Sequence, residues 1–149
     1  MNSLIMLGSS LATRDIVKKD SDKDGKIDKI AYFDKRGKIF KLEIDSNADE
    51  IMDRFQYYEQ EHLKRVERDT NHDRKIDAWD YFEAGKRIRH ERVSTETGQI
   101  DQIITFDSKE RTLKMQKDTT GDGLFDSIYH FKEGKLSSST KDMDGNGKV

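Results

Sequence analysis

The chain has 149 residues, of which 32% are hydrophobic and 39% are charged, and its formal net charge is −2. A chain so poor in apolar side chains can bury only a thin core, so repetition, bound ions or a partner should contribute to its stability. Lysines and arginines interleave with aspartates and glutamates, which excludes a basic stripe for nucleic acid; the chain also lacks cysteine and any apolar run long enough to span a membrane.

The first nineteen residues end in "SLATRDIVKK", a pattern typical of a return strand. We interpret residues 1–19 as a lead-in, the end of a preceding incomplete repeat. From Asp20 onward, similar segments recur every 24 or 25 residues. Residues 20–149 therefore form a predicted repeat array, whose units start at residues 20, 45, 69, 93, 118 and 142 and whose last unit is truncated.

Each complete unit begins with a nine-residue loop, which is acidic in most copies, and continues as an alternating apolar stretch. The fifth residue after the loop is aromatic in all five copies: Phe33, Tyr58, Phe82, Phe106 and Phe131. Alternation with aromatic and β-branched residues predicts a strand, and a short polar turn then leads to a second, more charged strand.

Two strands and two turns use the whole repeat, which leaves no room for a helix. The predicted fold class is therefore all-β, an antiparallel meander of β-hairpin repeats joined by acidic loops along one edge. Because the first strand of each unit is apolar on both faces near its end, the sheet should curl or stack on itself. The sequence leaves open whether the sheet is curved and open, or closed into a barrel or solenoid.

The first loop, "DSDKDGKID", places carboxylates at positions one, three, five and nine: Asp20, Asp22, Asp24 and Asp28. Gly25 stands at position six, where a sharp turn requires a positive φ. Alternate side chains of a tightly curled loop converge, and hard oxygen ligands suit Ca²⁺. This spacing resembles the calcium loop of EF-hands, dockerins and thrombospondin type-3 repeats.

The resemblance implies a Ca²⁺ site that also uses the backbone carbonyl of Lys26 at position seven. An EF-hand closes its site with a bidentate glutamate at position twelve, where this loop has Ala31 and a predicted strand. Asp28 at position nine would take that role. The site should then be weak, with a dissociation constant of roughly 10⁻⁴–10⁻³ M.

The other copies keep the ligand pattern to different degrees. Their candidate metal ligands are Asp118, Thr120, Asp122 and Asp126; the truncated set Asp142, Asp144 and Asn146; Asp45, Asn47, Asp49 and Asp53; and Asp69, Asn71, Asp73 and Asp77. Glu50 and Arg74 replace the glycine in the loops that start at residues 45 and 69. The segment "VSTETGQID" has lost its ligands and is predicted to be a plain turn.

Asp, Asn and Gly are also ordinary turn residues, and a turn would explain any single loop without a metal. The turn hypothesis explains less well why four carboxylates recur at fixed positions, where they repel one another unless a cation is present. The four histidines lie in different units and form no zinc pattern. Glu43, Glu67 and Glu91 are predicted to form cross-strand ion pairs on a solvated face.

No catalytic constellation is apparent, and the chain is predicted not to be an enzyme. We expect a calcium-binding structural repeat module of a larger secreted or cell-envelope protein, stiffened by Ca²⁺. A glycan- or protein-binding module remains an alternative, with an aromatic strip around Trp79 and Tyr81 on the sheet face, although core packing explains such a strip more simply. The accessory region of a larger enzyme or toxin and a metal-free scaffold are further alternatives.

Overall fold

The computed structural model describes residues 15–143, which form one antiparallel β-sheet of eleven strands and contain no helix, hence none that could cross a membrane. Each strand pairs with its neighbours in sequence, so the sheet is a simple meander. The strands are β1 (Ile16–Lys19), β2 (Lys29–Phe33), β3 (Ile39–Ile44), β4 (Arg54–Glu59), β5 (His62–Arg68), β6 (Ala78–Glu83), β7 (Lys86–Val93), β8 (Ile100–Phe106), β9 (Thr112–Lys117), β10 (Ser127–Lys132) and β11 (Lys135–Lys141).

The sheet is open, because β1 and β11 each pair with a single neighbour. Every residue of these two strands is exposed. The structure thus confirms the all-β antiparallel meander, and it rules out the closed sheet that the sequence left as an alternative. β11 is largely lysine, serine and threonine, residues that discourage uncontrolled pairing at a sheet edge.

The connections fall into two groups, one at each end of the strands, because consecutive strands run antiparallel. We call the side that carries the longer connections the loop edge. Short turns follow the even-numbered strands up to β10. Longer segments follow the odd-numbered strands, and we call them loop 1 (20–28), loop 2 (45–53), loop 3 (69–77), loop 4 (94–99) and loop 5 (118–126). All five loops therefore lie along one edge.

The short hairpins each contain a register shift immediately before the aromatic position, as between Tyr57 and Tyr58 or Tyr81 and Phe82. The two-residue turn after β6 has positive φ at both Ala84 (49°) and Gly85 (76°). Such a turn matches the right-handed twist of the flanking strands, and the bulge increases that twist. The recurring aromatic residue thus marks the place where each hairpin bends.

The core is thin, as the composition predicts. Val66 and Ala78 are the only buried apolar residues in the described part of the chain, with 2% and 3% of their surface exposed. In the ladder Val66 stands between Gln56 and Asp80, so polar residues flank it on both neighbouring strands. Hydrophobic burial alone is therefore small, and polar contacts at the loop edge and on the sheet faces must hold much of this structure.

Candidate metal centre

Loop 1 is closed by Ser21 and Asp28, its second and ninth residues. The Ser21 backbone N–H donates to both carboxylate oxygens of Asp28, at 3.1 and 2.9 Å, and the Ser21 hydroxyl donates to Oδ1 at 3.1 Å. Desolvation pushes the pKa of the Asp28 carboxyl upward, but these hydrogen bonds outweigh it and hold the pKa below its usual value. The ninth-position aspartate is thus ionised and fixed in place by the loop itself.

The same closure recurs in three further loops. The hydroxyl-to-carboxylate pairs are Ser46–Asp53, Thr70–Asp77 and Thr119–Asp126, with oxygen separations of 2.8, 2.7 and 2.8 Å. Sequence reasoning missed the residue at position two, although serine or threonine stands there in all five complete copies: Ser21, Ser46, Thr70, Ser94 and Thr119. In the four loops closed in this way, its hydroxyl and amide N–H hold the carboxylate in a defined orientation.

The first-position aspartate organises the curl of loops 1, 2, 3 and 5. In loop 1, Asp20 Oδ1 accepts the Lys23 N–H at 2.6 Å and Oδ2 accepts the Gly25 N–H at 2.9 Å. In loop 5, Asp118 accepts the N–H groups of Gly121 and Gly123 at 2.7 and 2.8 Å. These bonds are those of an Asx-type turn, so one carboxylate can serve the turn and still offer lone pairs to an ion.

Loop 1 brings three carboxylates together. One oxygen from each of Asp20, Asp22 and Asp28 lies within 4.8 Å of the other two. A Ca²⁺ ion holds its oxygen ligands at about 2.3–2.6 Å. Two oxygens on opposite sides of one ion are therefore about twice that distance apart, which is close to the separation found here. Asp24, predicted to be a fourth ligand, is outside the group, and its Oδ1 accepts the Lys26 N–H at 2.8 Å.

The nearby lysine does not neutralise this group through a hydrogen bond. The Lys26 ammonium pairs with Glu50 of loop 2 at 2.9 Å. Asp20 and Asp28 are half-buried and Asp22 is exposed, so the three carboxylates remain accessible to a small cation. Their hard oxygen atoms and spacing fit Ca²⁺; whether the Lys26 carbonyl joins them stays a prediction.

In residues 15–143, no second group of three acidic or histidine side chains comes this close together. Position three is asparagine in loops 2 and 3 (Asn47 and Asn71) and threonine in loop 5 (Thr120), which reduces the carboxylate count. In loop 5 the pKa of Asp118 is raised by desolvation but lowered further by backbone N–H donors, so it stays below its usual value. Asp142 is buried at the end of β11, whereas Asp144 and Asn146 lie outside the described residues.

Loops 2 and 3 contact each other through side chains. Asn47 Nδ2 lies 3.1 Å from His72 Nδ1, and His72 Nδ1 lies 3.5 Å from Asp53 Oδ2. The pKa of Asp49 is lowered, first by the hydrogen bond from Asn47 and then by the Ile51 N–H and the charges of His72 and Arg74. Two carboxylates of loop 2, Asp53 and Asp49, therefore lie close to positively charged or hydrogen-bonding groups of loop 3.

Glu50 and Arg74 replace the glycine of position six in these two loops. They adopt φ values of 70° and 72°, close to the conformation that Gly25 adopts at 93°. A non-glycine residue in this region costs about 1–2 kcal/mol. In return, Glu50 forms its ion pair with Lys26, and Arg74 places its charge near Asp49.

Loop 4 has a different structure, as its loss of ligands predicts. β7 and β8 extend their ladder to a Val93–Ile100 pair, and Ser94 and Gly98 close a short turn through a 2.9 Å backbone bond. The ninth-position aspartate of this unit, Asp101, accepts two hydrogen bonds from Arg92 at 3.1 and 2.9 Å. A guanidinium thus takes the place of the serine or threonine donors found in the other loops.

One face of the sheet carries a row of alternating tyrosines and cations. In register across β2 to β7, the row reads Tyr32, Lys41, Tyr57, Arg65, Tyr81 and Arg89. The tyrosine hydroxyls donate to Glu43, Glu67 and Glu91 at 3.0, 3.0 and 3.2 Å. We call this row, with its three glutamates, the tyrosine–glutamate ladder.

The glutamates of the ladder form their ion pairs mainly along the strand. Lys41 and Arg65 pair with glutamates two residues further on, Glu43 and Glu67, at 2.7 and 3.0 Å. The predicted cross-strand ion pairs are thus replaced by cross-strand hydrogen bonds from tyrosine. Side chains two residues apart in a strand point to the same face of the sheet, which is why the intrastrand pairs form.

No protein-family model and no curated protein sequence matches the chain at a significant level.

Proposed function

We propose that this chain is a calcium-binding structural repeat module, with loop 1 as its principal site. The observation that carries the proposal is the convergence of Asp20, Asp22 and Asp28 within 4.8 Å. Three carboxylates this close repel one another in the absence of a cation. Oxygen-only ligands in a flexible loop favour Ca²⁺ over Mg²⁺, which demands strict octahedral geometry.

A structural role follows from the connection between loop 1 and the ladder. The Asp28 N–H donates to the Lys19 carbonyl at 3.1 Å, and the Asp28 carbonyl accepts the Asp45 N–H at 2.9 Å. A ligand of the proposed ion is therefore bonded to the chain on both sides, next to β1 and next to β3. Ion binding to the folded chain would stabilise three strands together, by about 2.7 kcal/mol when the free ion is one hundred times its dissociation constant.

Loop 5 is the second proposed site. Asp118 and Asp126 have the orienting bonds of loop 1, and Gly121 and Gly123 adopt positive φ values of 81° and 85°. Asp122 accepts the Leu124 N–H at 2.9 Å, as Asp24 does from Lys26. We assign the loops to a repeat of about 24 residues that resembles EF-hand-type calcium loops set between strands instead of helices.

Weak binding sites of this type are suited to compartments where calcium is abundant, at roughly 10⁻³ M. We therefore propose a secreted or cell-envelope location and membership of a larger protein.

Thermal unfolding with millimolar Ca²⁺ and with excess chelator tests the proposal. Calcium should raise the melting temperature, and Asp22→Asn should remove most of the increase that loop 1 contributes. Glu96→Gln changes the same charge on an exposed side chain of loop 4 and is the matched control. An unchanged melting temperature in the two buffers would exclude the function.

A binding module for glycan or protein is the second candidate, favoured by the regular tyrosine–glutamate ladder. Its rings are already covered in part, since Lys41 Nζ lies 5.6 and 5.7 Å from the ring centroids of Tyr32 and Tyr57. Chemical-shift changes confined to this face on adding an oligosaccharide would favour the second candidate over the first.

A further inference from the structure

We propose that Arg92 is a fixed counter-ion for loops 3 and 4, so that the chain's own cations hold the centre of the sheet and calcium dependence is confined to loops 1 and 5. The inference rests on the proposed function for loops 1 and 5. It concerns how that function is distributed along the sheet. The experiment below therefore distinguishes failure of calcium binding at loops 1 and 5 from failure of the counter-ion role of Arg92.

The first argument is the geometry of Arg92 at the end of β7. Its Nε lies 3.1 Å from Asp101 Oδ1, and a terminal nitrogen lies 2.9 Å from Oδ2. A guanidinium matches a carboxylate with two parallel hydrogen bonds, which makes such pairs stronger and more specific than single contacts. A calcium ion at Asp101 would have to displace both bonds.

The second argument is the position of Asp101 in its unit. It corresponds to Asp28 of loop 1, since each carbonyl accepts the N–H of the residue that starts the next loop, Asp118 and Asp45 respectively, at 2.9 Å. Ser94 does not orient the Asp101 carboxylate as Ser21 orients Asp28. Its hydroxyl instead accepts the N–H groups of Glu96 and Thr97, at 3.3 and 3.4 Å.

Arg92 also acts on loop 3. Its pKa is raised, first by the hydrogen bond to Asp101, then by the charge of Asp101 and of Asp77, against the opposing effect of desolvation. Asp77 is the ninth-position aspartate of loop 3 and is 8% exposed. Arg92 stands opposite Ala78, the neighbour of Asp77, in the β6–β7 ladder, and Arg92, Asp77 and Asp101 line the same cavity. The guanidinium thus pairs with Asp101 and lies on the same side of the loops as Asp77.

The third argument is a cation network on the neighbouring strands. Asp80 of β6 is 3% exposed, and its carboxylate contacts Arg68 of β5 and, from β7, His90 at 3.0 Å and Arg87 at 3.5 Å. Desolvation raises the pKa of Asp80, but the hydrogen bond from His90 and the charges of Arg68, His90 and Arg87 lower it further. These side-chain contacts connect β5, β6 and β7 and require no bound metal ion.

Loop 2 belongs to the same centre. Its Asp53 carboxylate lies 3.5 Å from His72 Nδ1 of loop 3, and the same histidine nitrogen lies 3.1 Å from Asn47 Nδ2. By contrast, the three converging carboxylates of loop 1 accept hydrogen bonds from Ser21 and from backbone N–H groups, none of which carries a charge. Electrostatic compensation thus distinguishes the middle loops from loop 1.

Amide hydrogen exchange of the full chain, with millimolar Ca²⁺ and with excess chelator, tests the proposal. In the wild type, chelator should speed exchange in β1, β2, β3 and β10 by roughly tenfold while exchange in β5 to β8 stays within about twofold. Arg92→Gln should speed exchange at the β7–β8 pair by about threefold in both buffers, and Arg92→Lys, which keeps the charge but not the paired hydrogen bonds, should have a smaller effect.

Two outcomes would overturn the proposal: faster exchange in β5 to β8 of the wild type under chelator, or wild-type exchange rates in Arg92→Gln. If chelator changes no strand while Arg92→Gln still loosens β7 and β8, calcium binding itself fails and Arg92 retains its role as counter-ion. The two failures are therefore distinguishable in one data set.

Discussion

The Thr70 hydroxyl donates a 2.7 Å hydrogen bond to Asp77, seven residues later, and the Thr70 N–H donates a second bond to the same carboxylate at 3.0 Å. The two residues lie at the start and end of loop 3. Their bonds join the end of β5 to the start of β6 through a buried carboxylate. The same relationship closes loops 1, 2 and 5, so the loop edge is held by side-chain bonds that repeat along the sheet.

Replacing Thr70 with valine should destabilise the protein by about 1 kcal/mol, because the isosteric change removes one donor and leaves a lone pair of Asp77 without its partner. Chemical denaturation measures the effect, which should be equal with and without calcium. Thr95→Val, at an exposed threonine of loop 4, is the control and should be nearly neutral. Equal midpoints for the two variants would contradict a closing role for Thr70.

Removing one carboxylate from the converging group of loop 1 should weaken ion binding there without unfolding the sheet. Asp22→Asn keeps the shape of the side chain and the oxygen that accepts the Asp24 N–H at 3.2 Å, but lowers the charge of the converging group. We expect at least a tenfold weaker Ca²⁺ affinity at loop 1, measured by calorimetry, because the loss of one anionic ligand weakens a hard-cation site. Asp107→Asn changes the same charge at the opposite edge and should leave the affinity unchanged.

Acid should destabilise the protein within a defined pH range. The pKa values of Asp28, Asp118 and Asp126 are lowered in the folded chain. A carboxyl with a depressed folded pKa contributes stability above its unfolded pKa of about 3.9, and this contribution is lost as the pH falls through the folded pKa. Denaturant midpoints should therefore be flat from neutral pH to about pH 5 and fall below about pH 4.

The acid experiment is best done in chelator, so that ion release does not add to the effect. Asp126→Asn removes one of the three carboxyls and should make the fall with pH shallower. A steeper fall in this variant would contradict the assignment.

Breaking the buried network at Asp80 should be costly. Asp80→Ala leaves Arg68, Arg87 and His90 without their carboxylate, and we expect a loss of about 2 kcal/mol, reduced from the value for a fully buried pair because both arginines are about one-third exposed. Thermal melting should show the same loss in calcium and in chelator. Glu59→Ala, at an exposed ion pair 3.7 Å from Lys64, should cost less than about 0.5 kcal/mol.

The tyrosine–glutamate ladder can be tested at Tyr57. Tyr57→Phe removes the 3.0 Å bond to Glu67 and should cost about 1 kcal/mol in chemical denaturation. The pKa of Tyr57 is raised by desolvation and by Glu67, so ionisation of this phenol should begin above the usual tyrosine range in a tyrosinate absorbance titration. Tyr129→Phe, in β10, is the control for loss of a phenol outside the ladder.

The sequence by itself determined the strands and their order. Alternating apolar residues and polar turns encode the meander locally, because strand periodicity and turn chemistry act over a few residues. It also identified the first loop as the best candidate site, since the spacing of Asp20, Asp22 and Asp28 is visible without a structure. The serine or threonine at position two was equally visible in the sequence. Its role was missed because position two lies outside the ligand spacing, and only the structure shows that its hydroxyl donates to the ninth-position carboxylate.

Only the tertiary structure decided which side chains meet. Asp24 lies outside the converging group, and its carboxylate accepts the Lys26 N–H, although its spacing in the sequence continues that of Asp20 and Asp22. Lys26 pairs with Glu50 across 24 residues, and Arg92 reaches Asp101 across the loop edge, because strand register brings distant residues side by side. The structure also decided that the sheet is open, since β1 and β11 do not pair with each other. Repetition specifies the unit, whereas charge compensation between neighbouring units is a property of the assembled sheet.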